Sequence, residues 1–134
     1  MVLLPVLVKS HWAAISIDLS KKSVEGGCIV LDVEMMDSLR SYEHDLVEVF
    51  CPLQRYLAFQ YFSLHGRSVS ITFRYECYQS CRNFIPQTDG SSCGVYTCLF
   101  SKAVLYDVSL NTFKSEREKR ACIVYELSSK KLLL

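Results

Sequence analysis

Histidine is scarce in this chain: His11, His44 and His65 are the only three in 134 residues. Any chemistry that needs an imidazole base must use one of them. Charge of one sign is also lacking, with 15 basic residues against 14 acidic ones and a net charge of +1. No single-sign field argues for a nucleic-acid partner or a polyanionic surface. No apolar run approaches the roughly 18–20 residues of a membrane helix, so no membrane partner is expected. Met1 to Val8 is apolar but lacks a basic flank and a small-residue cleavage site, and reads as a buried strand. Seven cysteines are present, yet their odd count and irregular spacing do not make a disulfide framework. Reduced thiols in a nuclear or cytoplasmic protein are expected. Cys77-x3-Cys81 is only half a metal site, without a CxxC pair or a histidine at ligand spacing, so no metal is expected. Low-complexity stretches and interdomain linkers are missing too, and half of the residues are hydrophobic. One domain over residues 1–134 follows on size, expected to be a monomer.

What the chain does have is concentrated between Ile85 and Val95, read Ile-Pro-Gln-Thr-Asp-Gly-Ser-Ser-Cys-Gly-Val. Pro86, Asp89-Gly90 and Ser91-Ser92 supply turn chemistry. Val95, Tyr96, Leu99, Phe100, Ala103 and Val104 follow at the spacing of a helix with one buried stripe. Ser91 or Ser92 is a candidate N-cap. Cys93 then stands at a helix N-terminus, where unpaired backbone N–H groups and the helix dipole favour a thiolate. Gly94 leaves the backbone open beside the sulfur. Gln87, six residues before Cys93, carries an amide that can donate to an oxyanion.

A cysteine nucleophile needs a base, and the base needs an orienting group. His11 stands in Lys-Ser-His-Trp at the opening of a strand-like run, and Met-Asp-Ser-Leu follows at 36–39. The order is His11, Asp37, Gln87, Cys93. The combination resembles the ubiquitin-like-protein-specific cysteine proteases, which include SUMO- and NEDD8-deconjugating enzymes. It rests on Pro5, His11-Trp12, Asp37-Ser38 and Gln87 to Cys93-Gly94, over roughly residues 2–107.

The resemblance implies an α+β, papain-like cysteine protease fold of the adenain type, with a central mixed sheet flanked by helices. The helical segment that precedes the His-Trp strand in the family is missing here, which makes the chain read as an N-terminally truncated catalytic domain. Cys93 is implied as nucleophile, His11 as base, Asp37 as orienter and Gln87 as oxyanion donor. Trp12 and Gly94 would border the passage for the substrate's terminal glycines. The implied reaction is hydrolysis after the C-terminal glycine of SUMO or NEDD8, in a precursor or conjugate, without a cofactor. The alternative is a truncated, weakly active or inactive relative that only binds a ubiquitin-like protein, and a microbial or mobile-element endopeptidase of the same clan with another substrate is a third reading.

Strands are expected over 2–8, 12–19, 28–36 and 69–75, and helices over 41–63, 93–106 and 113–127. Lys21-Lys22-Ser23 reads as a polar turn. Pro52 predicts a kink or two helices. Val-Glu recurs nine residues apart, at 24–25 and 33–34, so either the hairpin is extended or residues are inserted. That doubling leaves Asp32 as a second candidate for the orienting acid. The charged run at 114–120 reads as a solvated helix face.

Overall fold

The computed structural model describes residues 1–40, 43–77, 86–107 and 115–129. Its architecture is mixed α and β. Four strands, β1 (Val2–Val8), β2 (His11–Glu25), β3 (Cys28–Met36) and β4 (Ser70–Cys77), form one sheet in the order β1-β2-β3-β4. The first two pairings are antiparallel and the β3–β4 pairing is parallel. The parallel return requires a crossover, which α1 (Glu43–Glu48) and α2 (Phe50–His65) supply. After β4 come α3 (Cys93–Tyr106) and α4 (Glu116–Ser129).

Both hairpin turns have two residues with positive φ. Val8 pairs with His11, so Lys9 and Ser10 make the first turn, with φ of 47° and 67°. This is the backbone that suits the right-handed twist of a hairpin, though Asn and Gly are its usual residues. Glu25 pairs with Cys28 across Gly26 and Gly27, at φ of 58° and 80°, where glycine carries no steric penalty. The repeated Val-Glu therefore belongs to an extended hairpin. Lys21–Ser23 is not the turn: it lies within β2, at an irregularity where Asp18 pairs with Asp32 but Lys22 pairs with Leu31. Asp18 fixes that bulge by accepting the Ser20 N–H at 3.0 Å.

Helices cover both faces of the sheet, and that explains the unbroken burial of Ala13 to Ile17. On one face Ala13, Ile15, Ile17, Leu31, Val33, Met35 and Phe73 pack with Phe50, Leu53 and Leu57. On the other, Ala14 and Met36 pack with Tyr96 and Phe100 of α3. Alternation along β2 assigns neighbouring residues to opposite cores.

The helical region ahead of β4 is divided, with Val49 between α1 and α2. Pro52 falls in the first turn of α2, where its missing N–H costs no intrahelical bond. Gly66 ends α2 in the left-handed region and donates its N–H to the Phe62 carbonyl at 2.8 Å. Ser115 and Glu118 exchange backbone-to-side-chain bonds of 3.2 Å each, a capping box that starts α4. The predicted helix starts at 41 and 113 lie outside the described residues. Among the described residues no helix is long and apolar enough to cross a membrane.

Phe100 is fully buried between α3 and the sheet, whereas Phe59 of α2 is exposed. Phe100→Ala is expected to cost about 3–5 kcal/mol in urea unfolding. Phe59→Ala should stay within about 0.5 kcal/mol.

Candidate active site

The site is assembled at the ends of three elements. His11 opens β2 directly after the tight Lys9-Ser10 turn and is 3% exposed. Asp37 follows the last residue of β3 and is 1% exposed. Ala14 pairs with Met36, so one further step of the register brings Asp37 opposite Ala13 and a diagonal step from His11. The side chains meet there, with His11 Nε2 at 2.8 Å from Asp37 Oδ1. The same carboxylate oxygen accepts the Leu39 N–H at 2.9 Å, and Arg40 N–H donates to the Asp37 carbonyl at 3.1 Å. Two local bonds thus fix the loop that presents the acid. A carboxylate accepts, so Nε2 is the donor in this bond.

Asp32, the other candidate acid, goes elsewhere. It accepts from Arg74 Nε of β4 at 2.7 Å. It belongs to the body of the sheet, five residues before Asp37.

Ser38 ties this corner to the reactive loop. Its hydroxyl donates to Gln87 Oε1 at 2.8 Å, and its carbonyl accepts the Gln87 N–H at 2.9 Å. Gln87 is 7% exposed. The nitrogen end of its amide donates to the carbonyl and to Oδ1 of Asp89. Both ends of the amide are therefore held, and its orientation is set by the hydroxyl on one side and the acceptors on the other.

Cys93 is the first residue of α3 and is half-buried. Ser92 occupies the cap position, but its side chain makes no capping bond. Ser92 is thus the N-cap residue by position, one of the two expected, while its hydroxyl donates to Asp89 Oδ2 at 2.5 Å. The helix packs against β2, and the Trp12 ring lies over Gly94, with Cδ1 at 3.8 Å from where a Cβ at 94 would stand. The start of the cysteine helix therefore abuts the His11-Trp12 end of β2. Trp12 is partly exposed and not a core residue.

Three participants lay outside the sequence reading. Ser38 was seen only as part of a motif. Asp89 was read as turn chemistry, although an Asp two and three residues before Ser91 and Ser92 is itself a loop-capping signal. Arg120 sits on α4 and donates to Ser92 Oγ at 2.7 Å, a contact 28 residues apart in sequence. Nor is the run at 114–120 wholly a solvated face: Lys119 is 7% exposed and donates to Tyr96 OH at 2.6 Å. The Ser92 hydroxyl bond is the main influence holding the Asp89 carboxyl below its usual range, helped by the Ser91 N–H and by Arg120. His65 stacks on Tyr61 at the exposed end of α2, away from this cluster. The His44 side chain lies outside the described residues, and so does Cys81 of the Cys77-x3-Cys81 pattern. Among the described residues no group of three His, Cys, Asp or Glu could hold a metal.

A cysteine opening a helix, next to a strand end whose histidine is held by a buried carboxylate, defines the class of the cysteine peptidases. The chain belongs to the Ulp1 protease family: the description "Ulp1 protease family, C-terminal catalytic domain" matches residues 1–127. It is also 32% identical over 133 residues to a "Sentrin-specific protease" of Caenorhabditis elegans. That alignment covers 98% of this chain and 17% of the relative, so the chain spans about a sixth of that protein's length.

Two of the other thiols are expected to be sluggish. Burial, then the charge of Glu126, pushes both Cys98 and Cys122 above the ordinary thiol range. Peptide-mapped alkylation with iodoacetamide at pH 7.5 should modify both more slowly than Cys51, which is exposed as Cys98 also is, with rates that rise as pH increases towards their raised pKa.

Proposed function

We propose that this chain is a papain-like catalytic unit that hydrolyses the bond after the C-terminal glycine of a ubiquitin-like protein, SUMO or NEDD8. Family membership and the word "Sentrin" in the relative's name favour the SUMO class. The observation that carries the reading is the buried His11–Asp37 hydrogen bond at the strand end beside the cysteine helix. In this reading residues 1–134 act as one monomeric domain in the nucleus or cytoplasm, on precursors and conjugates, without a cofactor.

With Nε2 committed to Asp37, Nδ1 of His11 takes the proton of Cys93. The thiolate attacks the glycine carbonyl, and negative charge develops on its oxygen. The Cys93 backbone N–H and the Gln87 amide receive that oxyanion. Collapse expels the amine, which takes the proton from the imidazolium, and leaves a thioester. Water, deprotonated by His11, then hydrolyses the thioester and restores the thiol. In this reading Trp12 and Gly94, which lie close together, border the passage for the substrate's terminal residues, and glycine is the residue whose backbone fits a narrow one.

A second reading has one observation in its favour. The Gln87 amide nitrogen is engaged with Asp89 instead of being held ready for an oxyanion. A relative that binds a ubiquitin-like protein without cleaving it would tolerate that.

Incubation with SUMO and NEDD8 vinyl-sulfone probes decides between them. The catalytic reading expects a covalent adduct that vanishes in Cys93→Ala. It also expects Gln87→Ala to lower kcat by about 10²–10³, as removal of an oxyanion donor does. Asp37→Asn should lower it by about 10⁴ through loss of the productive imidazole tautomer. Saturable binding with no adduct, from folded protein, would establish the binding-only relative.

A further inference from the structure

The loop before Cys93 is organised by one carboxylate. Asp89 Oδ1 accepts the Ser91 N–H at 3.0 Å and the Ser92 N–H at 2.8 Å. The Gln87 amide nitrogen donates to the same oxygen at 3.2 Å and also to the Asp89 carbonyl. Asp89 Oδ2 accepts the Ser92 hydroxyl. From outside the loop, Arg120 of α4 reaches Ser92 Oγ at 2.7 Å and Ser91 Oγ at 3.3 Å, with Asp89 Oδ2 at 3.9 Å. The Ser92 carbonyl in turn accepts the Tyr96 N–H at 3.1 Å, which joins this cluster to the first turn of the cysteine helix.

These bonds connect two groups with different tasks. Gln87 carries the amide that would receive the oxyanion, and Ser92 immediately precedes the nucleophile. Each is otherwise attached to a different part of the fold, Gln87 to Ser38 and Ser92 to α3. Asp89 is the side chain that bonds to both. A shift of about 1 Å between donor and nucleophile is enough to cost on the order of 10² in rate.

We propose that Asp89, braced by Arg120, is a positioning residue that fixes the Gln87 amide relative to the start of the cysteine helix. The proposal rests on the proteolytic reading of the site. During turnover the amide pivots from Asp89 towards the developing oxyanion, and Asp89 limits how far it travels. Asn at position 89 retains a side-chain acceptor for the two serine N–H groups and for Gln87, whereas Ala leaves the serine N–H groups without one and keeps only the main-chain carbonyl for Gln87. Arg120 acts one step further out, through the serine hydroxyls.

The test is steady-state hydrolysis of SUMO– and NEDD8–aminomethylcoumarin conjugates by the full chain and by Asp89→Ala, Asp89→Asn, Arg120→Ala, Gln87→Ala and the Gln87→Ala/Asp89→Ala double variant. Asp89→Ala is expected to lower kcat by about 10–100-fold with KM within about 2-fold, since a displaced donor is lost in the transition state only. Asp89→Asn should recover kcat to within about 3-fold of wild type. In the double variant the added loss over Gln87→Ala should be under about 2-fold, because residues that act as a unit are not additive. If Asp89→Ala does not fold, Arg120→Ala carries the test, with an expected fall in kcat of about 3–10-fold at unchanged KM. Wild-type kcat in both single variants, or fully additive losses in the double variant, would overturn the positioning role and leave the protease reading intact. Absence of hydrolysis and of probe labelling in the wild type would remove both.

Discussion

The structure of this site depends on the junction between Asp37 and Ser38. These neighbours end the same strand and bond in opposite directions. Asp37 holds the imidazole of His11, and Ser38 holds both the side chain and the backbone of Gln87. A strand end has the rigidity of the sheet behind it, so His11 and the reactive loop are referred to one fixed point. The His11–Asp37 pair is buried, and taking charge or dipole out of water is costly unless its bonding capacity is met. The Leu39 N–H meets part of that need at the carboxylate. Removal of either partner would take a buried hydrogen bond from the other, a loss on the order of 1–3 kcal/mol.

The fold delivers the parts to that junction by different means. A two-residue turn in left-handed conformation swings the chain from β1 into His11, and Lys9 of that turn pairs with Asp45 of α1 at 2.6 Å. Burial of Ala14, Met36, Tyr96 and Phe100 in one cluster docks α3 on the sheet. That docking brings Gly94 under Trp12. α4 adds a half-buried ion pair to α3, Lys102 with Glu126 at 2.5 Å, and carries Arg120 to the reactive loop. The hydrophobic cores thus set the coarse placement, and hydrogen bonds of defined geometry set the fine placement. Catalytic arrangements need both, because burial alone has no direction.

Much of this was legible in the sequence. The four strands and the cysteine helix follow from β-branched alternation, turn residues and helical periodicity. The division at Pro52 follows from proline's missing donor, although the break falls before it at Val49. The family was legible as a resemblance carried by His11-Trp12, Asp37-Ser38 and Gln87 to Cys93-Gly94, and the family match over residues 1–127 shows it. The misreadings have physical causes. Lys21–Ser23 has turn-like polarity, but Gly26-Gly27 supplies positive φ without penalty and takes the turn instead. Choice between Asp32 and Asp37 required the register, since only pairing of Ala14 with Met36 shows which acid reaches His11. Lys119 and Arg120 belong to a run of charges that periodicity alone assigns to solvent. Their partners, Tyr96 and Ser92, are brought close by helix packing that no local signal encodes.

The central claim is that Cys93 and His11 form one reacting pair, with Asp37 holding Nε2 so that Nδ1 faces the sulfur. A short bifunctional alkylator, 1,3-dibromoacetone, tests this without any substrate. The account predicts a Cys93–His11 cross-linked peptide in mass spectrometry, joined through Sγ and Nδ1. It further predicts that Asp37→Ala reduces the bridge while Cys93 is still alkylated singly. Single alkylation of Cys93 in the wild type, with no bridge to His11 at any reagent concentration, would contradict it.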